Sequence, residues 1–187
     1  MKYNIFKVGL LLITSALLFT ACLKDKAGEG NNEEVITTMV LKFTPVAGGA
    51  PLTFSFDDPD GPGGNTPAQN VISLSQSVSY NVVVQLFNKT STPAVNITDE
   101  VAAESAAHRF YYATTAAGLT ISNLNNDING VPLGINSTWS AGPAGTGSTK
   151  ITLRHYPGTP PGKETADLVN SPKSGTDIEV IFVTNVL

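Results

Sequence analysis

Residues 78–87 read VSYNVVVQLF, and this stretch decides the fold class. Apolar side chains recur at every second position, which is the period of a β-strand that buries one face and exposes the other. The face expected to be buried carries Val78, Tyr80, Val82, Val84 and Leu86. This segment is therefore predicted to be a strand at the centre of a sheet that is covered on one side.

The same alternation recurs on both sides of this strand. It is found in residues 35–43, 52–56, 119–123, 149–153 and 178–186. The intervening loops are rich in Gly, Pro, Asn and Ser, as in DGPGGNTP at 60–67 and SAGPAGTGS at 140–148. Short alternating strands separated by such turns are typical of antiparallel sandwiches. The chain is thus predicted to be mostly β, an immunoglobulin-like antiparallel β-sandwich of about seven to nine strands.

One segment interrupts the strand pattern. Residues 96–108 read NITDEVAAESAAH, with four alanines and acidic residues near the start. Early acids and a late His108 both complement a helix dipole, and Asn96 or Thr98 would serve as the N-cap. We therefore predict one short helix inserted between strands.

The N-terminus has the layout of a bacterial secretion signal. Lys2 and Lys7 precede an apolar run over residues 8–20, and Cys22, the single cysteine of the chain, follows. The run is shorter than the roughly 20 apolar residues that span a bilayer. Small residues before a cysteine resemble a lipobox, so residues 1–21 are predicted to be a lipoprotein signal peptide.

Cleavage would then fall after Ala21, and the thiol of Cys22 would carry a diacylglycerol. Residues 22–34 contain one leucine and no aromatic residue, so we expect a flexible lipidated tether, followed by a β-sandwich domain over residues 35–187. With Cys22 acylated, the domain has neither a disulfide nor a thiolate metal site. The predicted location is the outer membrane, held by the lipid.

Charge excludes one class of partner. The chain has 11 Lys and Arg against 15 Asp and Glu, a net charge of −4, and removal of the signal makes it more acidic because Lys2 and Lys7 are lost. An acidic chain without a basic cluster is not expected to bind nucleic acid. The chain also has no Gly-x-Ser-x-Gly elbow, so we predict a protein without catalytic activity.

Two histidines could contribute to a metal site. In a helix, Glu100, Glu104 and His108 would stack at i, i+4 and i+8, a donor set suited to zinc or copper. The alternative is a solvated acidic face in which Glu104 pairs with His108. His155 ends a predicted strand on its inward face, where it either forms one hydrogen bond as a buried neutral imidazole or joins His108 in one site with the helix carboxylates.

Two oxygen-rich loops have features of calcium sites. The candidate ligands are Asp58, Asp60, Asn125, Asp127 and Asn129. The second loop places oxygens at alternate positions before Gly130, like the first half of a calcium loop, but Asn136 stands where that motif needs a bidentate Glu. Asx turns between strands have the same sequence pattern without any metal.

The chain as a whole resembles a family of small lipoproteins from Bacteroidetes. The resemblance rests on the lipidation cysteine together with EEVITTMVLKFTPVAGG (33–49), TFSFDDPDGPGGN (53–65), SYNVVVQLFN (79–88), the acidic helix running into AAHRFYY (106–112), TKITLRHYPG (149–158) and DIEVIFVTNVL (177–187). Members are sometimes labelled a type 1 periplasmic-binding fold, which has two α/β lobes, whereas this chain is short and its pattern predicts antiparallel β. Members often occur beside TonB-dependent receptors. The resemblance implies an accessory role in nutrient or metal capture, and it places His108 and His155 within its motifs.

Together these features predict a non-catalytic binding module anchored at the outer membrane, which captures a metal ion or small ligand or docks on a receptor. Its cofactor, if it has one, would be zinc, copper or calcium. The alternative is a structural or adhesion domain whose loops bind protein or glycan.

Overall fold

The computed structural model describes residues 34–61 and 63–187. The predicted signal peptide, the cleavage at Ala21 and the lipidation of Cys22 lie outside the described residues. Within them, no helix has both the length and the apolar character needed to cross a membrane.

The described chain forms two β-sheets that pack face to face. The first sheet contains, in spatial order, β3 (Ala68–Gln69), β2 (Leu52–Asp57), β1 (Thr38–Pro45), β5 (Ser79–Asn88), β9 (Asn136–Ala141) and β8 (Leu119–Ser122), with β6 (Val95–Asn96) also paired to β5. The second contains β4 (Ile72–Leu74), β11 (Gly175–Val186), β10 (Gly145–His155) and β7 (His108–Thr114). Strand pairs are antiparallel except β4 with β11. The prediction of a mostly β sandwich with one short helix is confirmed.

The strand predicted from VSYNVVVQLF is β5. Its residues 80, 82, 84 and 86 are buried, because they face the opposite sheet, while residues 81, 83 and 85 are exposed. Trp139 in β9 fills the space between the sheets, and its ring meets those of Phe43 and Tyr112 edge-on at centroid distances of 5.0 and 6.0 Å. Its indole N–H donates to Ser137 Oγ at 3.0 Å, so the one polar atom of this side chain is satisfied.

The inserted helix is shorter than predicted. α1 spans Ile97–Ala103, Glu104 is its C-cap, and His108 is the first residue of β7. The prediction of a helical column through Glu100, Glu104 and His108 is therefore wrong. The alanines favour helix locally, but pairing of β7 with β10 draws His108 into the second sheet, and tertiary pairing overrides a weak local propensity.

The predicted N-cap at Asn96 is present. Its side-chain oxygen accepts a hydrogen bond from the Thr98 N–H at 3.0 Å. Replacing Asn96 by alanine is expected to lower the free energy of unfolding by about 0.5–2 kcal/mol, because that N–H loses its partner. Thermal unfolding followed by circular dichroism measures the change. Asn96→Ser keeps an accepting oxygen and should stay near wild type, so equal melting of the two variants would contradict a capping role.

One edge of the second sheet is partly covered. β7 is its outermost strand, and the Phe110 N–H donates to the carbonyl of Leu133 at 2.7 Å. Leu133 belongs to the segment that follows the turn around Asp127, and its own N–H donates to the carbonyl of Asn125 at 2.9 Å. The segment between β8 and β9 thus lies against the edge strand β7 near its start.

Candidate metal centre

The end of the second sheet brings the two histidines together. His108 opens β7 and His155 closes β10, and the antiparallel register places them directly opposite each other. Their rings stack, with centroids 4.7 Å apart and an angle of 17° between the planes. The alternation of β10 is the cause, because Thr149, Ile151 and Leu153 are buried on the same face that His155 continues.

Glu104 completes a three-residue group. One ligand atom from each of Glu104, His108 and His155 lies within 4.8 Å of the other two. Glu104 is exposed, His155 is half-buried and His108 is fully buried. Glu100, the fourth predicted ligand, is not part of this group but lines the pocket in front of it.

His108 lies between two oxygen atoms. Its Nδ1 is 3.2 Å from the carbonyl oxygen of Glu104, and its Nε2 is 3.6 Å from Asp177 Oδ2. Burial, together with the nearby His155 and Lys163, lowers the pKa of His108 to about 4, against the opposing hydrogen bond to the Glu104 carbonyl. A neutral imidazole carries one N–H and can donate to only one of these oxygens, so its other nitrogen keeps a lone pair that could bind a cation.

His155 also has a ring nitrogen that is available for binding. Its Nδ1 is buried and has no hydrogen-bond partner among the described residues. The alternative, a buried neutral histidine that forms one hydrogen bond, would also leave one ring nitrogen without a partner. Buried polar atoms without a partner are rare in folded proteins, and an ion that is not part of the structure is one of the accepted reasons for them.

A pocket of about 530 Å³ opens in front of the three residues. Glu34, Glu100 and Glu104 line it together with His155 and the turn after β10. Burial raises the pKa of the Glu34 carboxyl, and the charges of Glu100 and Glu104 raise it further. Three carboxyl groups around one opening create a negative potential that concentrates cations there.

The group fits a small divalent ion after a modest adjustment. Zinc binds imidazole nitrogen and carboxylate oxygen at about 2.0–2.2 Å, so two ligands of a tetrahedral ion lie about 3.4 Å apart. The present atoms are within 4.8 Å. Glu104 is exposed, so its carboxylate can rotate toward the two histidines, and three protein ligands would leave one position of a tetrahedral ion open.

The second calcium-like loop is held by protein contacts. Asp127 Oδ1 accepts hydrogen bonds from the backbone N–H groups of Asn129 and Val131 at 2.8 and 2.9 Å. Asp127 Oδ2 pairs with Lys163 Nζ at 2.8 Å, where both side chains are 1% exposed. Asn125 Oδ1 accepts from the Asn136 N–H at 2.7 Å. An ammonium group already neutralises this carboxylate, so the contacts support the Asx-turn alternative.

The first calcium-like loop is also stabilised by its own side chains. Asp60 Oδ2 accepts from the backbone N–H and the side-chain amide of Asn65 at 2.9 and 2.6 Å. Desolvation and the adjacent Asp60 raise the pKa of Asp58. These contacts are typical of a turn, and they do not indicate that the two aspartates bind calcium.

Lys163 contacts the backbone next to the candidate metal centre. Its ammonium group donates to the backbone carbonyls of Ser105 and His108 at 2.7 and 2.8 Å, besides its ion pair with Asp127. These contacts hold the chain between α1 and β7 in place, and thus the position of His108. Desolvation lowers the pKa of Lys163, and the Asp127 carboxylate opposes that change.

Comparisons of the chain with protein-family models, with curated proteins and with solved structures give no match. The resemblance to Bacteroidetes lipoproteins therefore stays a prediction.

Three residues around the site were not found by sequence reasoning. Glu34 was assigned to the tether, Lys163 lies in a loop of mixed composition, and Asp177 precedes a strand at a position that alternation assigns to the outer face. The sequence gives one signal for the surroundings of the site, the local excess of acidic residues at 33–34 and 99–104. The contacts of Lys163 and Asp177 join segments that are distant in the chain, so no local pattern predicts them.

Proposed function

We propose that the protein is a lipid-anchored, non-catalytic module of the outer membrane that captures zinc or copper at Glu104, His108 and His155. The observation that carries the proposal is the stacked pair of histidines beside Glu104. Next to them lies the buried Nδ1 of His155, which has no hydrogen-bond partner in the part of the chain that the structure describes. Histidine nitrogen suits zinc and copper, whereas calcium requires six to eight oxygen ligands.

The surroundings of the group support capture rather than permanent storage. Three ligands with an open fourth position leave room for exchange, and structural zinc sites instead have four protein ligands. The acidic pocket attracts cations to this position. A protein tethered at the membrane in this way would serve as an accessory to a receptor that imports the ion, and a TonB-dependent receptor is the proposed partner.

Metal titration of the full chain tests this proposal. We expect a one-to-one complex with zinc or copper by calorimetry. At a free-ion concentration of about 100 times Kd, binding should add about 2.7 kcal/mol to stability. For a chain of this size the melting temperature should then rise by about 5–11 °C, and a chelator should reverse the rise.

Variants locate the ion. His155→Gln and the double variant Glu104→Ala/His108→Ala should lose the tight complex, because each removes ligand atoms. Glu179→Gln is the matched control, since it removes a carboxylate that contacts Lys150 and Thr152 and does not line this pocket. Unchanged affinity in the double variant would exclude this site, and a response to calcium alone would favour the structural or adhesive alternative.

A further inference from the structure

An irregularity in β11 turns one carboxylate toward the histidines. The register between β10 and β11 shifts between Leu153 and Arg154, which pair with Ile178 and Thr176. Asp177 is thus the extra residue of a β-bulge and lies opposite the step between Leu153 and Arg154. Bulges occur beside functional sites because they change the direction of one side chain.

The bulge places Asp177 inside the sandwich. Simple alternation with the buried Ile178 would direct Asp177 outward, yet its side chain is 0% exposed and its Oδ2 lies 3.6 Å from His108 Nε2. Burying a carboxyl group costs stability unless a polar partner is close, and here the His108 imidazole is such a partner.

We propose, on the basis of the metal centre above, that Asp177 is the positioning residue of His108. Its Oδ2 lies 3.6 Å from Nε2, slightly beyond hydrogen-bond distance, and a small approach lets it accept the Nε2–H and so direct the Nδ1 lone pair toward Glu104 and the pocket, where the ion binds. Histidines that bind metals commonly donate their other N–H to a carboxylate or a carbonyl, which fixes both tautomer and ring orientation.

The carbonyl of Glu104 competes for the same proton. It lies 3.2 Å from Nδ1 and stabilises the other tautomer, in which Nδ1 carries the hydrogen and cannot bind an ion. An ionised Asp177 would be the stronger acceptor, since hydrogen bonds to ionised acceptors are about twice as strong as those to neutral ones. Without Asp177, the proton moves to Nδ1 and the site loses a ligand.

Nitrogen-15 NMR of the histidine rings in the metal-free full chain tests the tautomer directly. At fixed neutral pH, wild type should show His108 protonated at Nε2, and Asp177→Leu should show it protonated at Nδ1. Zinc affinity of the leucine variant should fall about 10–100-fold, the usual effect of losing such a partner. Asp177→Asn keeps the side-chain shape and an accepting oxygen but loses the charge. Its His108 tautomer populations and its zinc affinity should lie between those of wild type and Asp177→Leu, and they can be measured even if the leucine variant does not fold.

Glu179→Gln is the matched control. Glu179 lies two residues further along β11 on the outer face, where it contacts Lys150 at 3.3 Å and Thr152 at 2.9 Å. This variant should leave tautomer and zinc affinity unchanged. A wild-type His108 protonated at Nδ1, or zinc affinity equal in wild type and both Asp177 variants, would overturn the role of Asp177. Absence of zinc binding in wild type would instead overturn the metal centre itself.

Discussion

Asp127→Asn is expected to lower the free energy of unfolding by about 3–5 kcal/mol, because it leaves the Lys163 ammonium buried without its counter-charge. Both partners are 1% exposed and their charged atoms are 2.8 Å apart, so water cannot replace the lost carboxylate. For a chain of this size the melting temperature should fall by about 6–20 °C. Thermal and urea unfolding followed by far-UV circular dichroism measure the loss.

Two control variants test whether burial of the ion pair causes this loss of stability. Glu179→Gln removes one partner of the Lys150–Glu179 pair, which is 42% and 40% exposed, and should cost at most about 1 kcal/mol. The double variant Asp127→Asn/Lys163→Met removes the unpaired charge and should recover part of the stability. An Asp127→Asn variant that melts with wild type would contradict the buried ion pair.

Trp139→Ala should destabilise the sandwich by about 3–5 kcal/mol, the usual cost of truncating a buried aromatic residue. Trp139 is fully buried and contacts Phe43 from one side and Tyr112 from another, so its removal leaves a cavity between the sheets. Urea unfolding must be followed by circular dichroism, because this is the single tryptophan of the chain and fluorescence would be lost with it.

Trp139→Phe serves as the control, since it keeps most of the packed ring and loses only the indole N–H that donates to Ser137. Its destabilisation should be clearly smaller than that of the alanine variant. Equal destabilisation would mean that the hydrogen bond, and not the filled volume, is the contribution of this side chain.

The strands were predictable because alternation is a local property. Tyr80, Val82, Val84 and Leu86 are buried as their spacing requires. The end of α1 was not predictable, since the residues after Ala103 have helical propensity and only the pairing of β7 with β10 overrides it. Whether such a segment forms a helix or a strand depends on a partner strand that is more than 40 residues away in the chain.

The candidate site was predictable by residue type but not by geometry. Sequence reasoning selected Glu104, His108 and His155 and placed His155 on the inward face of its strand. Their proximity depends on strand register, which no local pattern encodes. Asp177 was missed for a related reason, because a bulge reverses the face that alternation assigns to it.

The covered edge of the second sheet bears on how copies of this protein meet one another. An edge strand with free N–H and C=O groups can pair with the same strand of a neighbour and begin aggregation. The proposed lipid anchor would concentrate the copies in two dimensions and so favour such encounters. The bond from Phe110 to Leu133 closes one of these positions on β7, and the Asp127 turn with Lys163 holds the covering segment in place. The Asp127–Lys163 ion pair near the candidate metal centre would thereby also oppose edge-to-edge pairing of β7.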